Sequence, residues 1–187
     1  MFAESPAVAG APFPSPGGLS AKDHERLQHL DALLDRGPAE LEALYREARA
    51  PRIGEVEGDL RGRMLAWPSL ASRPSLASAL RAFAGSRSFP WRGKTFRPFG
   101  ESNGEGDNRV FSERLRLFRF ETSIAPSRAG DFDALQLDYD LPSNPPVIRS
   151  IKDEIREIEP GLWLGQAYLR TRARDVLWLY FALARVT

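Results

Sequence analysis

The chain has no cysteine and two histidines among its 187 residues. Without thiols there are no disulfides, no zinc–thiolate centre and no cysteine nucleophile, although the absence of cysteine does not decide the compartment. An excess of one charge sign is missing too: 26 Lys plus Arg stand against 25 Asp plus Glu, a formal net charge of +1. Nucleic-acid-binding surfaces carry a basic excess, so this balance predicts neither nucleic acid nor an anionic membrane and points to a small molecule or a protein as partner. Long hydrophobic runs are absent as well. The longest, residues 176–184, has nine residues, well short of the roughly 20 that a spanning helix needs. Residues 1–19 are rich in Ala, Pro, Gly and Ser, carry Glu4 in place of a basic start and lack a continuous apolar stretch. They are expected to be a disordered lead-in rather than a secretory signal. A soluble, cytoplasmic protein is the resulting expectation.

What is present suits one globular domain over 20–187, with 42% hydrophobic and 27% charged residues. The run from Val176 to Ala184 is apolar on both faces of the strand it predicts. Alternation sets Val176, Trp178, Tyr180 and Ala182 on one side and Leu177, Leu179, Phe181 and Leu183 on the other. Such a strand needs two covers: a core or cavity on one face and helices on the other.

Upstream, Ser20 can cap a helix that carries Leu27, Leu30, Leu33 and Leu34 and ends at Gly37-Pro38. A second helix with Leu41, Leu44 and Tyr45 on one face stops near Ala50-Pro51, the pattern from Ile53 to Leu65 is ambiguous, and a third helix runs from Pro74 to Phe83. Residues 20–84 therefore read as mainly helical. Strands follow in 85–187: Trp91 to Phe99, a polar glycine-rich turn over 100–109, a long strand from Val110 to Ile124, and another from Phe132 to Tyr139. Asn144-Pro145 predicts a helix start, with Val147, Ile148, Ile151, Ile155 and Ile158 as its inward stripe, Arg149, Lys152, Asp153, Glu154, Arg156 and Glu157 as surface charges, and Pro160-Gly161 as its stop. Leu162 to Leu169 and Val176 to Ala184 close the chain. The expected fold class is α+β: a helical N-terminal region and an antiparallel, barrel-like sheet of about five strands crossed by one long helix.

Trp91-Arg92-Gly93-Lys94 resembles the Trp-x-Gly-Lys core of the GXWXG-type domains of unknown function, which are related in style to the calycins, the lipocalin-like barrels. Gly58-Asp59-Leu60-Arg61-Gly62 has similar spacing, with Leu60 where tryptophan is expected, and Phe89 replaces the first glycine before Trp91. The resemblance covers the strand-rich half and implies an antiparallel barrel or half-barrel whose interior accepts a small apolar ligand. Nitrobindin-like members of that group bind haem through histidine. Here the histidines, His24 and His29, both fall on the first predicted helix, so no metal, haem or other cofactor is expected.

Trp91, Phe118, Phe120, Tyr139, Trp163, Tyr168, Trp178 and Tyr180 supply more aromatic surface than loops require, and some of it should line a cavity. Lys94, Tyr139 or Tyr168 could orient a ligand there. The leading expectation is binding or carrying a small hydrophobic molecule. One rival is a cofactor-independent isomerase, cyclase or lyase using Glu121, Asp138 or Tyr139 in acid/base roles, provided that adjacent strands bring Glu121 and Asp138 together. The other is a protein-interaction module built on the helical half, which an exposed apolar patch without a cavity would favour. No Ser-His-Asp arrangement can be assembled, and the 100–109 segment is too acidic to cradle phosphate.

Overall fold

A computed structural model of the chain describes residues 19–86 and 88–186. The lead-in expected over 1–19 lies outside them, Leu19 excepted.

Helix α1, Ala21–Ala32, starts at a reciprocal cap in which Ser20 Oγ accepts from the Asp23 amide at 3.1 Å and Asp23 accepts from the Ser20 amide at 3.3 Å. Helix α2, Pro38–Glu47, opens on proline, and Glu40 accepts from the Gly37 amide at 2.9 Å. A single 3-10 turn at Ile53–Val56 leads into strand β1, Gly58–Ala66, and helix α3, Pro74–Gly85, follows. The remaining strands are β2 (Trp91–Phe99), β3 (Asn103–Val110), β4 (Arg116–Pro126), β5 (Asp133–Asp138), β6 (Ile151–Glu159), β7 (Leu162–Arg170) and β8 (Asp175–Arg185). A four-residue helix α4, Pro146–Arg149, precedes β6. Each strand pairs antiparallel with the next and β8 pairs back with β1, which closes an eight-stranded barrel. Closure leaves no edge, and eight strands enclose just enough room for side chains or one small ligand.

The barrel thus has eight strands where about five were expected, and among the described residues no long helix crosses it. The helix expected from Asn144 to Pro160 is α4 followed by β6, which pairs with both β5 and β7. Ile151 and Ile155 are four apart, a spacing in phase with a helix turn and with a strand's alternation alike. Lys152, Asp153, Glu154, Arg156 and Glu157, read as that helix's surface charges, are all between 0% and 7% exposed. The turn expected over 100–109 is largely β3. Its glycines allow close packing rather than looping: a Cβ on Gly106 would lie 2.4 Å from the Phe120 ring. The long strand from Val110 to Ile124 is interrupted at 111–115, and the ambiguous 53–65 segment supplies the Ile53–Val56 turn and most of β1.

Strand β8 has its two covers. Leu179, Phe181 and Leu183 join the interior core, while Tyr180, Ala182 and Ala184 pack with Leu30, Leu33, Leu41 and Tyr45 under α1 and α2. The outer cover is the N-terminal helical pair. Strict alternation fails at Trp178, where the β7 register shifts, so that Leu177 packs with the outer cluster while Trp178 and Leu179 both border the interior.

Beneath α2, β6 carries a buried charge on its outer face. Glu154 is 0% exposed. It accepts from Tyr45 Oη (3.0 Å), Ser127 Oγ (2.6 Å), the Arg128 amide (3.1 Å), Arg128 Nη1 (3.2 Å) and Gln136 Nε2 (3.0 Å). A carboxylate so saturated fixes α2 and the β4–β5 turn onto the barrel wall.

Candidate functional site: a cavity with a polar floor

Ile53 and Val56 join the interior core at the β1 entrance end, so the 3-10 turn stoppers that end of the barrel. Toward the other end a cavity of about 280 Å³ remains. Met64, Trp91, Phe118, Ile151, Trp178 and Phe181 form much of its wall, with Phe89, Pro90, Val110 and Ile148 of α4 around them. Four polar side chains share this space with the apolar ones: Lys94, Asn108, Tyr139 and Asp153.

These four are mutually bonded. Lys94 Nζ donates to Asn108 Oδ1 at 3.0 Å, to Asp153 Oδ2 at 2.9 Å and to Tyr139 Oη. Tyr139 donates to Asp153 Oδ2 at 3.0 Å. Asn108 Nδ2 donates to Tyr139 Oη at 3.1 Å and to the Phe118 carbonyl at 3.2 Å, and Trp91 Nε1 donates to Asn108 Oδ1 at 3.0 Å. The ammonium also lies 5.1–5.6 Å from the ring centres of Trp91, Phe120, Tyr139 and Phe181, close enough for cation–π attraction. Burial pulls the Lys94 pKa below its ordinary value, against the opposing pull of Asp153. Burial, helped by the Asp153 charge, pushes the Tyr139 hydroxyl well above its own.

Local backbone devices aim these groups. The β2–β3 register shifts between Trp91 and Gly93, so that Arg92 is the extra residue of a bulge and Trp91 and Lys94, three apart, both turn inward. Gly93 makes this possible. Its φ is +134°, and a Cβ there would fall 2.0 Å from the Leu60 carbonyl oxygen. Gly62 on β1 provides the seat for Trp91, whose ring would lie 2.5 Å from any Cβ at that position. Phe118 adopts φ 57° next to the register shift between Gly106 and Asn108, and its carbonyl is held by Asn108. A left-handed phenylalanine costs free energy, and it stands here in the wall of the cavity.

Of the residues singled out from sequence, Trp91, Lys94, Phe118, Tyr139 and Trp178 line the cavity. Phe120 is buried against Tyr139, with ring centres 5.3 Å apart, and Trp163 is fully buried elsewhere in the interior core; neither borders the cavity. Tyr168 and Tyr180 sit on the outside of the barrel under α2, where Tyr168 donates to Gln166 Oε1 at 2.5 Å and Tyr180 to Glu42 Oε2 at 2.8 Å. Their strand positions have the wrong parity for the interior. Glu121 and Asp138 are indeed directly opposite one another on β4 and β5. Both are exposed on the outer surface, where Asp138 pairs with Lys152, away from the cavity. Asn108 and Asp153 carry no mark of an interior site in the sequence, since one falls in the segment that reads as a turn and the other in the segment that reads as a helix. Among the described residues no three His, Cys, Asp or Glu converge as a metal site. His29 lies at the surface, with Nδ1 2.7 Å from Glu159.

The site is therefore an apolar cavity in a closed antiparallel barrel, floored by one buried ion pair and its hydrogen-bonded neighbours. No protein-family model matches the chain, and no curated relative matches it. Among solved structures, the chain is similar to that of a protein from Thermomonospora curvata, with 19% identity, coverage of 88% of this chain and 98% of that one, and a TM-score of 0.46. No helix among the described residues is long and apolar enough to cross a membrane.

Proposed function

We propose that this protein binds or carries a small hydrophobic ligand inside its barrel, as the resemblance to lipocalin-like proteins implies. The observation that carries the reading is the cavity itself. Its wall is nearly all apolar side chains, and its few polar groups converge at one place, the combination expected where contact area supplies affinity and one or two polar atoms set orientation. Up-and-down barrels of eight strands, lipocalins among them, use their interiors in this way. The test is mass spectrometry of the full chain purified from its native host, under native and then denaturing conditions. A small apolar species that leaves on denaturation supports the reading; a bare chain that gains nothing from a library of hydrophobic compounds overturns it.

A second reading, a cofactor-independent isomerase, cyclase or lyase, draws support from the meeting of Lys94, Tyr139 and Asp153 at one point of the cavity. Its acid/base groups would be these and not Glu121 and Asp138. Turnover of the ligand recovered from the native protein, abolished in Tyr139→Phe, would establish it; recovery of that ligand unchanged after long incubation excludes it.

A further inference from the structure

The polar floor of the cavity has one hydrogen-bonding position left over, and it is an acceptor. Trp91 Nε1 uses its single donor on Asn108, and Asn108 gives its amide hydrogens to Phe118 O and Tyr139 Oη. Lys94 directs its three donors to Asn108, Tyr139 and Asp153, and Tyr139 gives its hydroxyl hydrogen to Asp153 Oδ2. Two donors thus converge on Oδ2, the pattern of an ammonium and a phenol facing a carboxylate. Asp153 Oδ1 is buried and has no partner. Its residue is 5% exposed and stands in the cavity wall. A buried carboxylate oxygen without a donor is costly, and a donor brought into the cavity by a ligand would relieve that cost.

Resting on the cavity reading above, we infer that the molecule held here is a neutral, mainly apolar compound bearing a hydroxyl group, which donates its hydrogen to Asp153 Oδ1. The alternatives fail on chemistry. A carboxylate ligand would set a second anion against Asp153. A ketone or ether brings no donor, and the donors of the floor are already engaged. An ammonium would leave the buried site with a net positive charge, because Lys94 already neutralises Asp153. Size adds a bound: the cavity is about 280 Å³, against roughly 150 Å³ for an engineered cavity that takes benzene. A compound of one or two rings, or an alkanol of similar bulk, fits.

The test uses the full chain and three probes of matched shape: β-naphthol, β-methylnaphthalene and β-naphthoate, measured by equilibrium dialysis. The expected order is β-naphthol tightest by about tenfold or more over β-methylnaphthalene, the return on a hydrogen bond to a charged acceptor, with β-naphthoate weakest. In Lys94→Met/Asp153→Leu, which removes both charges together, the advantage of β-naphthol should disappear. Equal affinity of β-naphthol and β-methylnaphthalene for the native chain, tightest binding by β-naphthoate, or an undiminished preference in the double variant overturns the hydroxyl assignment while leaving a hydrophobic site in place. Binding of none of the three overturns the cavity reading and the assignment together. The comparison among probes on the native chain decides the matter even if the double variant does not fold.

Discussion

Replacing Asp153 by Asn keeps the shape of the cavity floor and removes its negative charge. Lys94 is 2% exposed, and its Nζ is 2.9 Å from the Asp153 carboxylate. The substitution therefore leaves an ammonium buried among aromatic rings without a counter-charge, a defect that costs about 3–5 kcal/mol near neutral pH. The loss depends on pH in a defined sense. Burial already lowers the Lys94 pKa in the folded protein, and Asp153 opposes that fall. Without Asp153 the folded value drops further below the unfolded value of about 10.4. Folding then favours the neutral amine, so the penalty is complete below the folded pKa and fades as pH rises toward the unfolded one. Urea unfolding followed by tryptophan fluorescence, at a series of pH values from neutral to mildly alkaline, measures both features provided that the slope is unchanged. The double variant Lys94→Met/Asp153→Leu should fall within about 2 kcal/mol of the native protein, since a buried pair replaced by apolar groups of similar volume is often neutral or better. A loss below about 1 kcal/mol in Asp153→Asn, with no dependence on pH, would refute the coupling of these two charges.

All four tyrosines, Tyr45, Tyr139, Tyr168 and Tyr180, are held above their ordinary pKa, with burial the leading cause in each. An alkaline ultraviolet titration should show no phenolate near the usual value of about 10 until the chain unfolds. Because unfolding frees all four to ionise, stability should fall as pH rises through that value; phenolate formation with the native circular dichroism intact would contradict the burial. Tyr45→Phe removes one donor from the buried Glu154 carboxylate and should cost about 1.5–3 kcal/mol, with faster amide exchange across α2 as the local sign; unchanged exchange there would mean that Glu154 does not fasten the helix. Gly62→Ala puts a methyl group 2.5 Å from the Trp91 ring and should cost about 1–3 kcal/mol, with a changed tryptophan emission and weakened probe binding. Native-like stability and binding in this variant would show that Trp91 is not seated on Gly62.

How much of this could be read in advance depended on where the deciding contacts lie. Helices α1, α2 and α3 are signalled by their own ends, through Ser20, Pro38 and Pro74, and were legible. The two covers of β8 were legible because the run is apolar on both sides; which side faces inward was not, and the irregularity at Trp178, set by pairing with β7, parts Trp178 from Tyr180. Strand β6 was hidden. Its polar residues are buried on both faces, Asp153 inside against Lys94 and Glu154 outside against Arg128 and Tyr45, and those partners are far away in sequence. Without an apolar–polar alternation, the four-residue isoleucine spacing favoured a helix. Strand β3 was hidden by Gly104 and Gly106, whose small size serves packing against Thr122 and Phe120 rather than a turn. Lys94 and Tyr139 could be picked out beside their aromatic neighbours, while Asn108 and Asp153 become visible when β3 and β6 are brought to opposite sides of one cavity.

A crystal structure of the full chain with a bromonaphthol, located by the anomalous scattering of bromine, tests whether the barrel interior holds a ligand on the floor made by Asp153 and Lys94. The expected result is a bromine peak inside the cavity between the Trp178 and Phe118 walls, with the hydroxyl oxygen within hydrogen-bonding distance of Asp153 Oδ1. A saturated crystal whose bromine peaks all lie on the outer surface, with the cavity empty, would contradict it.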